Sequence, residues 1–204
     1  MDLVLLSGGI ESTTLLKERQ RLGPVTGLFV NYGQRAARQE RMAARHACQA
    51  TGARFLPVDV PGLRAPFLRE DHWVAHVPLP ARNLLAISLA ANVALHTKAR
   101  TIFVGLQQDD ATRHDSGARF LTDLAQTLQN LDLALETPYR QLGKTDVMRR
   151  GLVLGVDYAH TYSCLLGHPR PCGRCPQCRA RQEAWNAVGP HATQGCHRPP
   201  DRLG

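Results

Sequence analysis

Four cysteines near the C-terminus have the spacing of a metal site. They follow the pattern C-x7-C-x2-C-x2-C and are Cys164, Cys172, Cys175 and Cys178. The short spacings let successive thiolates converge on one tetrahedral ion, and a full set of protein ligands leaves no open position for catalysis. The pattern therefore predicts one structural zinc ion. An iron–sulfur cluster would use the same thiolates, a redox CxxC pair is another alternative, and His160 or His168 could replace one cysteine.

A second group of residues, at the N-terminus, is suited to binding an anion. The stretch "SGGIESTT", which starts at Ser7, follows a short apolar run and precedes a segment of helical composition. Gly8 and Gly9 let backbone N–H groups face a ligand, and Ser12 and Thr13 supply hydroxyl groups next to the positive end of the helix. The stretch has neither the Gly-Lys-Ser/Thr of a Walker loop nor the dinucleotide pattern GxGxxG. It predicts a pyrophosphate cradle; the alternative is a tight turn with a serine cap.

The elements around these residues alternate between strand and helix. We predict strands over 2–6, 25–31, 54–60 and 101–105, an edge strand over 133–137, and helices over 12–21, 35–51, 83–96, 120–131 and 145–154. Such alternation indicates a mainly parallel sheet with helices on both faces, in which ligands bind at the carboxyl ends of the strands. The loops 7–14, 31–35 and 105–119 are therefore expected to form the site. The proline-rich segment 61–80 is predicted to be a loop or lid.

Length and composition limit the class of protein. The chain has 204 residues, 43% hydrophobic content and a formal net charge of +8, which fits one globular domain with a small appendage. It has neither an apolar run of about 20 residues nor a signal peptide, so we expect a cytoplasmic protein. Six cysteines in such a protein favour metal or catalysis over disulfides. Cys48 is predicted to be a core residue and Cys196 an unpaired thiol in the tail.

These segments together resemble the 7-cyano-7-deazaguanine synthase family of queuosine precursor biosynthesis, a branch of the PP-loop ATP pyrophosphatases. The resemblance rests on "SGGIES", on "VNYGQR" (Val30–Arg35), on "RNLL" (Arg82–Leu85) and on the cysteine segment that ends at Trp185. It covers the chain from about Leu3 to Trp185. The most specific part is the cysteine segment with Arg181 and Trp185 behind it.

The resemblance implies a fold and a reaction. The fold is a three-layer α/β sandwich of PP-loop (adenine nucleotide alpha hydrolase-like) type, with an ATP-binding and adenylating domain over 1–158 and a zinc segment over 159–188. The remainder, 189–204, is expected to be a disordered tail. The enzyme would use ATP and Mg²⁺ to adenylate 7-carboxy-7-deazaguanine, ammonia would displace AMP to give an amide, and a second ATP would convert the amide to the nitrile. A homodimer is expected.

The resemblance also implies roles for individual residues. Those expected to bind ATP are Ser7, Gly8, Gly9, Glu11, Ser12 and Thr13. Those expected to be catalytic are Arg82 and Lys144, as cations near the α-phosphate, together with Glu11. Those expected to line the substrate pocket are Tyr32, Gln34, Arg35, Asn83, Asp110, Asp115 and Arg119. For Arg82 and Lys144 the alternative is an ordinary surface position at a helix start, and for Asn83 it is a helix cap.

Two departures from the family pattern suggest a second hypothesis. Glu11 stands where the family has aspartate, and the segment 105–119 lacks the Tyr-Pro of the family's substrate-recognition stretch. The enzyme could therefore pass the activated acid to an amine on a macromolecule, such as a protein, and stop at the amide. Three other readings remain: a tRNA-thiolating enzyme, a zinc-containing nucleic-acid-binding module and a pseudoenzyme. The scattered arginines, which are typical of solvated helix faces, and the aromatic content of only 5% make nucleic acid an unlikely partner.

Overall fold

The computed structural model describes residues 1–63, 79–112 and 114–189. One sheet holds five strands: β1 (Asp2–Leu5), β2 (Val25–Asn31), β3 (Arg54–Asp59), β4 (Thr101–Val104) and β5 (Ala134–Glu136). The helices are α1 (Ile10–Gln20), α2 (Ala37–Thr51), α3 (Arg82–Thr97), α4 (Ala118–Gln129), α5 (Lys144–Val153) and α6 (Pro176–Val188). Short 3-10 helices cover Gln108–Thr112 and Tyr158–His160.

The predicted parallel sheet with helices on both faces is confirmed. The strand order is β3-β2-β1-β4-β5, and every neighbouring pair is parallel. Alternate residues of β1 point to opposite faces: Leu3 belongs to a buried cluster with residues of α3 and α4, and Val4 to one with residues of α1, α2, α5 and α6. From β1 the chain adds β2 and β3 on one side and then β4 and β5 on the other. The carboxyl ends of β1, β2 and β4 therefore lie side by side at the middle of the sheet, where such folds bind ligands.

Among the local differences from the sequence-based prediction, three concern the predicted loops and the cysteine segment. Helix α1 begins at Ile10, because Gly9 takes an extended conformation (φ −80°, ψ 179°) and serves as its N-cap. The predicted polar loop 107–119 contains the 3-10 helix Gln108–Thr112. The cysteine segment ends in α6, which starts at Pro176, a residue well suited to the first turn of a helix.

Two predicted segments lie largely or wholly outside the described residues. Most of the expected lid, 64–78, is among them, as is the expected tail from residue 190 on, including Cys196. Within the described part of the chain, no helix combines the length and the apolar character needed to cross a membrane.

Candidate active site

The loop between β1 and α1 is packed too tightly for any residue but glycine at position 8. Gly8 has φ +76°, and a Cβ there would lie 2.7 Å from the Glu40 carbonyl oxygen and 2.8 Å from the Ala44 nitrogen. Side chains rarely adopt this φ, and backbone atoms of α2 cannot move aside. The loop is therefore held against the first turns of α2 with its backbone constrained.

Hydroxyl groups line this loop, which corresponds to the predicted anion-binding residues 7–14 and is called the anion loop below. Ser12 Oγ accepts a hydrogen bond from Ser7 N at 3.2 Å, and the two serine hydroxyls lie 3.1 Å apart. Thr13 Oγ1 is buried and has no hydrogen-bond partner among the described residues. Because buried polar atoms normally have a partner, this hydroxyl is a candidate to contact a bound ligand.

Two of the predicted catalytic residues are in contact. Lys144, the first residue of α5, forms an ion pair through Nζ with Oε1 of Glu11 in the first turn of α1. Their side chains are only 9% and 17% exposed, respectively. Lys144 is therefore a largely buried cation beside the anion loop, and the alternative of an ordinary surface lysine is wrong.

The loop after β2 forms a second polar cluster. Gln34 is buried; its Oε1 accepts from Tyr32 N at 3.0 Å, and its Nε2 donates to Val30 O at 3.2 Å and to Glu40 Oε2 at 2.9 Å. Arg82, the first residue of α3, lies with Nη1 3.5 Å from the Tyr32 hydroxyl. Burial raises the pKa of Tyr32 despite the nearby guanidinium. Burial acts to lower the pKa of Arg82, but the interactions of its guanidinium with Tyr32, Asp115 and Glu40 outweigh the effect of burial, and the pKa of Arg82 is raised.

Asn83 and Asp115, both predicted to line the pocket, bind each other. Asp115 Oδ2 accepts from Asn83 N at 2.7 Å, and Asn83 Nδ2 donates to Asp115 O at 3.2 Å and to Ser116 Oγ at 3.1 Å. The N-cap of α3 is Ala81, so Asn83 does not cap its helix. The pair instead joins the segment before α4 to the start of α3.

The remaining predicted pocket residues do not form one cluster. Asp110 accepts from Gln107 N at 3.1 Å within its own turn. The Arg119 side chain is 95% exposed and pairs with Asp123 at 3.8 Å, so it faces solvent. Arg35 is partly buried, and its backbone carbonyl faces the cysteine segment at Gly167.

The four cysteines converge into one cluster that could hold a metal ion, as the spacing predicts. Their Sγ atoms all lie within 4.8 Å of one another, and among the described residues they form the only such group of potential ligands. Burial acts to raise the pKa of Cys172, but hydrogen bonds from the backbone N–H groups of Arg174 and Cys175 and from the thiols of Cys164 and Cys175 together lower it to about 7. His160 Nδ1 binds Asp157 at 2.8 Å, away from this cluster.

The cysteine segment also supports both loops of the site. Tyr162 N donates to Gly8 O at 2.9 Å. A Cβ on Gly167, which has φ +73°, would lie 2.1 Å from Arg35 O, so the segment lies directly on the loop after β2. Arg181 on α6 is buried and donates to Thr161 Oγ1 at 2.7 Å and to Tyr158 O at 2.5 Å.

The sequence did not indicate that Glu40 lies in the site or that Arg181 is buried. Glu40 lies in the first turn of α2, where an acidic residue is common and carries no motif. The sequence singles out Arg181 only through the family resemblance.

Cys48 is a core residue as predicted: it is buried, and burial raises the pKa of its thiol to about 12. Such a thiol is not an activated nucleophile, which weakens the thiolation alternative.

Comparison with known proteins identifies the relatives of this chain. The sequence model of the family described as "Queuosine biosynthesis protein QueC" matches residues 1–189. The chain belongs to the QueC family. Among the family's members, it is 30% identical to 7-cyano-7-deazaguanine synthase 1 of Sulfurisphaera tokodaii, over 91% of this chain and 93% of that protein. It is 34% identical to 7-cyano-7-deazaguanine synthase of an Azoarcus species, over 92% of each chain. These relatives are synthases, so this QueC-family chain is an enzyme.

A solved structure supports the fold. The U34-tRNA thiolase NcsA from Methanococcus maripaludis, solved with its [4Fe-4S] cluster, superposes with a TM-score of 0.53 at 18% identity, covering 91% of this chain and 63% of that one. At this identity the likeness concerns the PP-loop fold alone. The QueC-family chain thus combines a PP-loop fold with a four-cysteine cluster that could hold a metal ion.

Proposed function

We propose that this protein is an ATP-dependent ligase that adenylates 7-carboxy-7-deazaguanine and passes the acyl group to ammonia, giving the amide and then, with a second ATP, the nitrile. The observation that carries this proposal is the largely buried Lys144, paired with Glu11 beside the anion loop. A cation in that position can interact with the phosphates of a nucleotide held by the loop. Membership in the QueC family supports the choice of substrate.

The anion loop is the candidate ATP site. Backbone N–H groups at Gly8 and Gly9 and the hydroxyls of Ser7, Ser12 and Thr13 are the groups that would hold the pyrophosphate. Mg²⁺ suits such a site because it neutralises phosphate charge, and the carboxylate of Glu11 is the candidate to hold it.

The chemistry requires activation because a carboxylate has no good leaving group. A carboxylate oxygen of the substrate attacks the α-phosphorus of ATP, and pyrophosphate leaves. The nitrogen of ammonia then attacks the acyl carbon, and AMP leaves. Lys144 and Arg82 are the candidates to stabilise the negative charge that develops at the α-phosphate.

The cysteine segment is proposed to be structural. Four thiolates that close on one zinc ion leave no position for a substrate. We therefore assign 1–158 to ATP binding and adenylation and 159–188 to a zinc segment that supports the two loops. We further propose a homodimer in the cytoplasm.

A second candidate is a ligase that transfers the activated acid to an amine on a macromolecule and stops at the amide. Two positions favour it. Asp115 binds Asn83, and the Arg119 side chain is 95% exposed. Asp115 is held by Asn83 and Arg119 faces solvent, so neither matches the substrate-recognition role that the family's counterparts are expected to have, which would suit a different acceptor.

One experiment separates these functions. The protein is incubated with ATP, Mg²⁺ and 7-carboxy-7-deazaguanine, with and without ammonia, and the products are identified by mass spectrometry. A nitrile product supports the synthase and contradicts the macromolecular ligase. AMP release that requires an added protein amine supports the ligase. If neither ATP binding nor AMP release is detected, the protein is a pseudoenzyme.

A further inference from the structure

Glu40 is a carboxyl group that the roles assigned so far leave unexplained. It lies in the first turn of α2 and is partly buried. An acidic residue at this position normally faces solvent, where it interacts with the positive end of the helix. Here its Oε2 accepts a hydrogen bond from Gln34 Nε2 at 2.9 Å, and it forms no ion pair with the residues that the structure describes.

The position of Glu40 relates it to every part of the candidate site. Its backbone carbonyl is the atom that would lie 2.7 Å from a Cβ on Gly8, so its helical turn is in contact with the anion loop. Its carboxyl interacts electrostatically with Arg82, Tyr32 and Tyr162. These residues belong to α3, the loop after β2 and the cysteine segment, so the charge of the carboxyl acts on all three.

The hydrogen bonds of Gln34 define how the Glu40 carboxyl is held. Gln34 Oε1 accepts from a backbone N–H and its Nε2 donates to a backbone carbonyl, so the orientation of the amide is unambiguous. The group that faces Glu40 is therefore a donor, and Oε2 must accept. This arrangement suits an ionised carboxylate. Within the described residues, no hydrogen bond to Oε1 is formed, so this oxygen is the one that the proposed reaction would use.

We propose that Glu40 is the general base of the amide-forming step, an inference that rests on the proposed function. The amine nitrogen forms a bond to the acyl carbon while the carbon–oxygen bond to AMP breaks, and AMP leaves with the electron pair. The proton lost by the nitrogen moves to the Glu40 carboxylate, which returns it to water when the products leave. The same role serves ammonia and a macromolecular amine.

The surroundings of Glu40 suit this role. Burial raises its pKa, which makes the carboxylate a stronger base than one at the surface, while Gln34 and Arg82 act in the opposite direction and favour the ionised form. Among the residues that the structure describes, Tyr32 and Tyr162 are the other titratable groups with which it interacts. General bases of this kind typically contribute rate factors of about 10²–10⁴.

The test compares the two half-reactions in Glu40→Gln and in the matched exposed variant Glu183→Gln. Adenylation is followed by exchange of labelled pyrophosphate into ATP in the presence of 7-carboxy-7-deazaguanine, and the second step by the amide formed with ammonia. In Glu40→Gln we expect exchange within about twofold of the unmodified protein and amide formation lowered about 100-fold or more. Glu183→Gln should match the unmodified protein in both assays.

The outcomes are distinguishable. Equal losses of exchange and amide formation in Glu40→Gln, or no loss in either, would overturn the role of Glu40. A lack of substrate-dependent exchange in the unmodified protein would instead overturn the proposed function. If Glu40→Gln does not fold, Glu40→Asp replaces it: this variant keeps a carboxylate but withdraws it by one methylene. We then expect an intermediate loss of amide formation with exchange retained, and equal losses in both would contradict the proposal.

Discussion

Replacing Gly151 with alanine should destabilise the protein, although its position in a helix suggests the reverse. Gly151 lies inside α5, where alanine is normally favoured over glycine by about 0.5–1 kcal/mol. In the structure, however, a Cβ at this position would lie 1.7 Å from the hydroxyl of the fully buried Tyr158 and 2.7 Å from Thr14 Oγ1. The packing therefore reverses the sign of the effect expected from helix propensity.

The magnitude follows from two costs and one gain. Thr14 Oγ1 donates to Ile10 O at 2.8 Å, so its 2.6 Å contact with Tyr158 is one in which the tyrosine hydroxyl donates. Overpacking costs about 1–3 kcal/mol, and losing the hydrogen bond between the two hydroxyls costs about another 0.5–1.5 kcal/mol. After the helix gain is subtracted, Gly151→Ala should lower the free energy of unfolding by about 2 kcal/mol, a substantial part of the about 5–15 kcal/mol typical of a domain.

The assay is equilibrium unfolding in urea of four proteins: unmodified, Gly151→Ala, Tyr158→Phe and the double variant. Tyr158→Phe removes the hydroxyl oxygen that the new methyl group would meet at 1.7 Å. We therefore expect Gly151→Ala to cost about 1–2 kcal/mol less in that background, a coupling in the usual range for residues in contact. Strictly additive effects, or a Gly151→Ala protein as stable as the unmodified one, would refute this account of the packing.

Three further predictions concern the site. Lys144→Met should lower substrate-dependent pyrophosphate exchange by about 10²–10³-fold. The control Lys17→Met, which also removes a lysine charge, should leave the exchange rate nearly unchanged. Equal losses of exchange in the two variants would contradict the role of Lys144. Removing the metal with a chelator should increase hydrogen exchange at the Tyr162 amide, which binds Gly8 O, and an apo-protein with unchanged protection there would count against the supporting role of the cysteine segment. Burial raises the pKa of Glu40 in the folded state. The stability that Glu40 contributes is therefore fully present below its unfolded-state pKa and is lost as the pH rises through its folded-state pKa. Above the folded-state pKa, Glu40→Gln should be more stable than the unmodified protein, by about 1.4 kcal/mol for each pH unit between the two pKa values; unfolding midpoints measured at several pH values should show this difference in stability vanish in acid.

The sequence predicted the sheet and the metal site well because both depend on local patterns. Short apolar runs between helical segments mark buried parallel strands, and all five strands were found close to their predicted bounds. The cysteine spacing confines the thiols to a short stretch of chain that ends in the first turn of α6, so the cluster of Cys164, Cys172, Cys175 and Cys178 required little help from the rest of the fold.

The predictions for single pocket residues were less complete because side-chain direction depends on neighbours distant in the chain. Arg119 follows the segment expected to bind substrate, yet it lies on the solvent side of α4 and pairs with Asp123. Asp115 binds Asn83, another residue predicted to line the pocket. No local signal in the sequence indicates this pairing or the exposure of Arg119.

By itself, the sequence determined the class of fold, the position of the glycine loop between the first strand and helix, and the convergence of the four cysteines, because these features depend on strand–helix alternation and on residue spacing. The tertiary structure alone decided which charged groups meet. Lys144 reaches Glu11 across a separation of 133 residues, and Glu40 comes to lie among Gln34, Arg82 and the anion loop only when α2 packs on Gly8. Such contacts arise where helices from distant parts of the chain pack on one sheet, and burial there sets the electrostatic environment in which the proposed chemistry takes place.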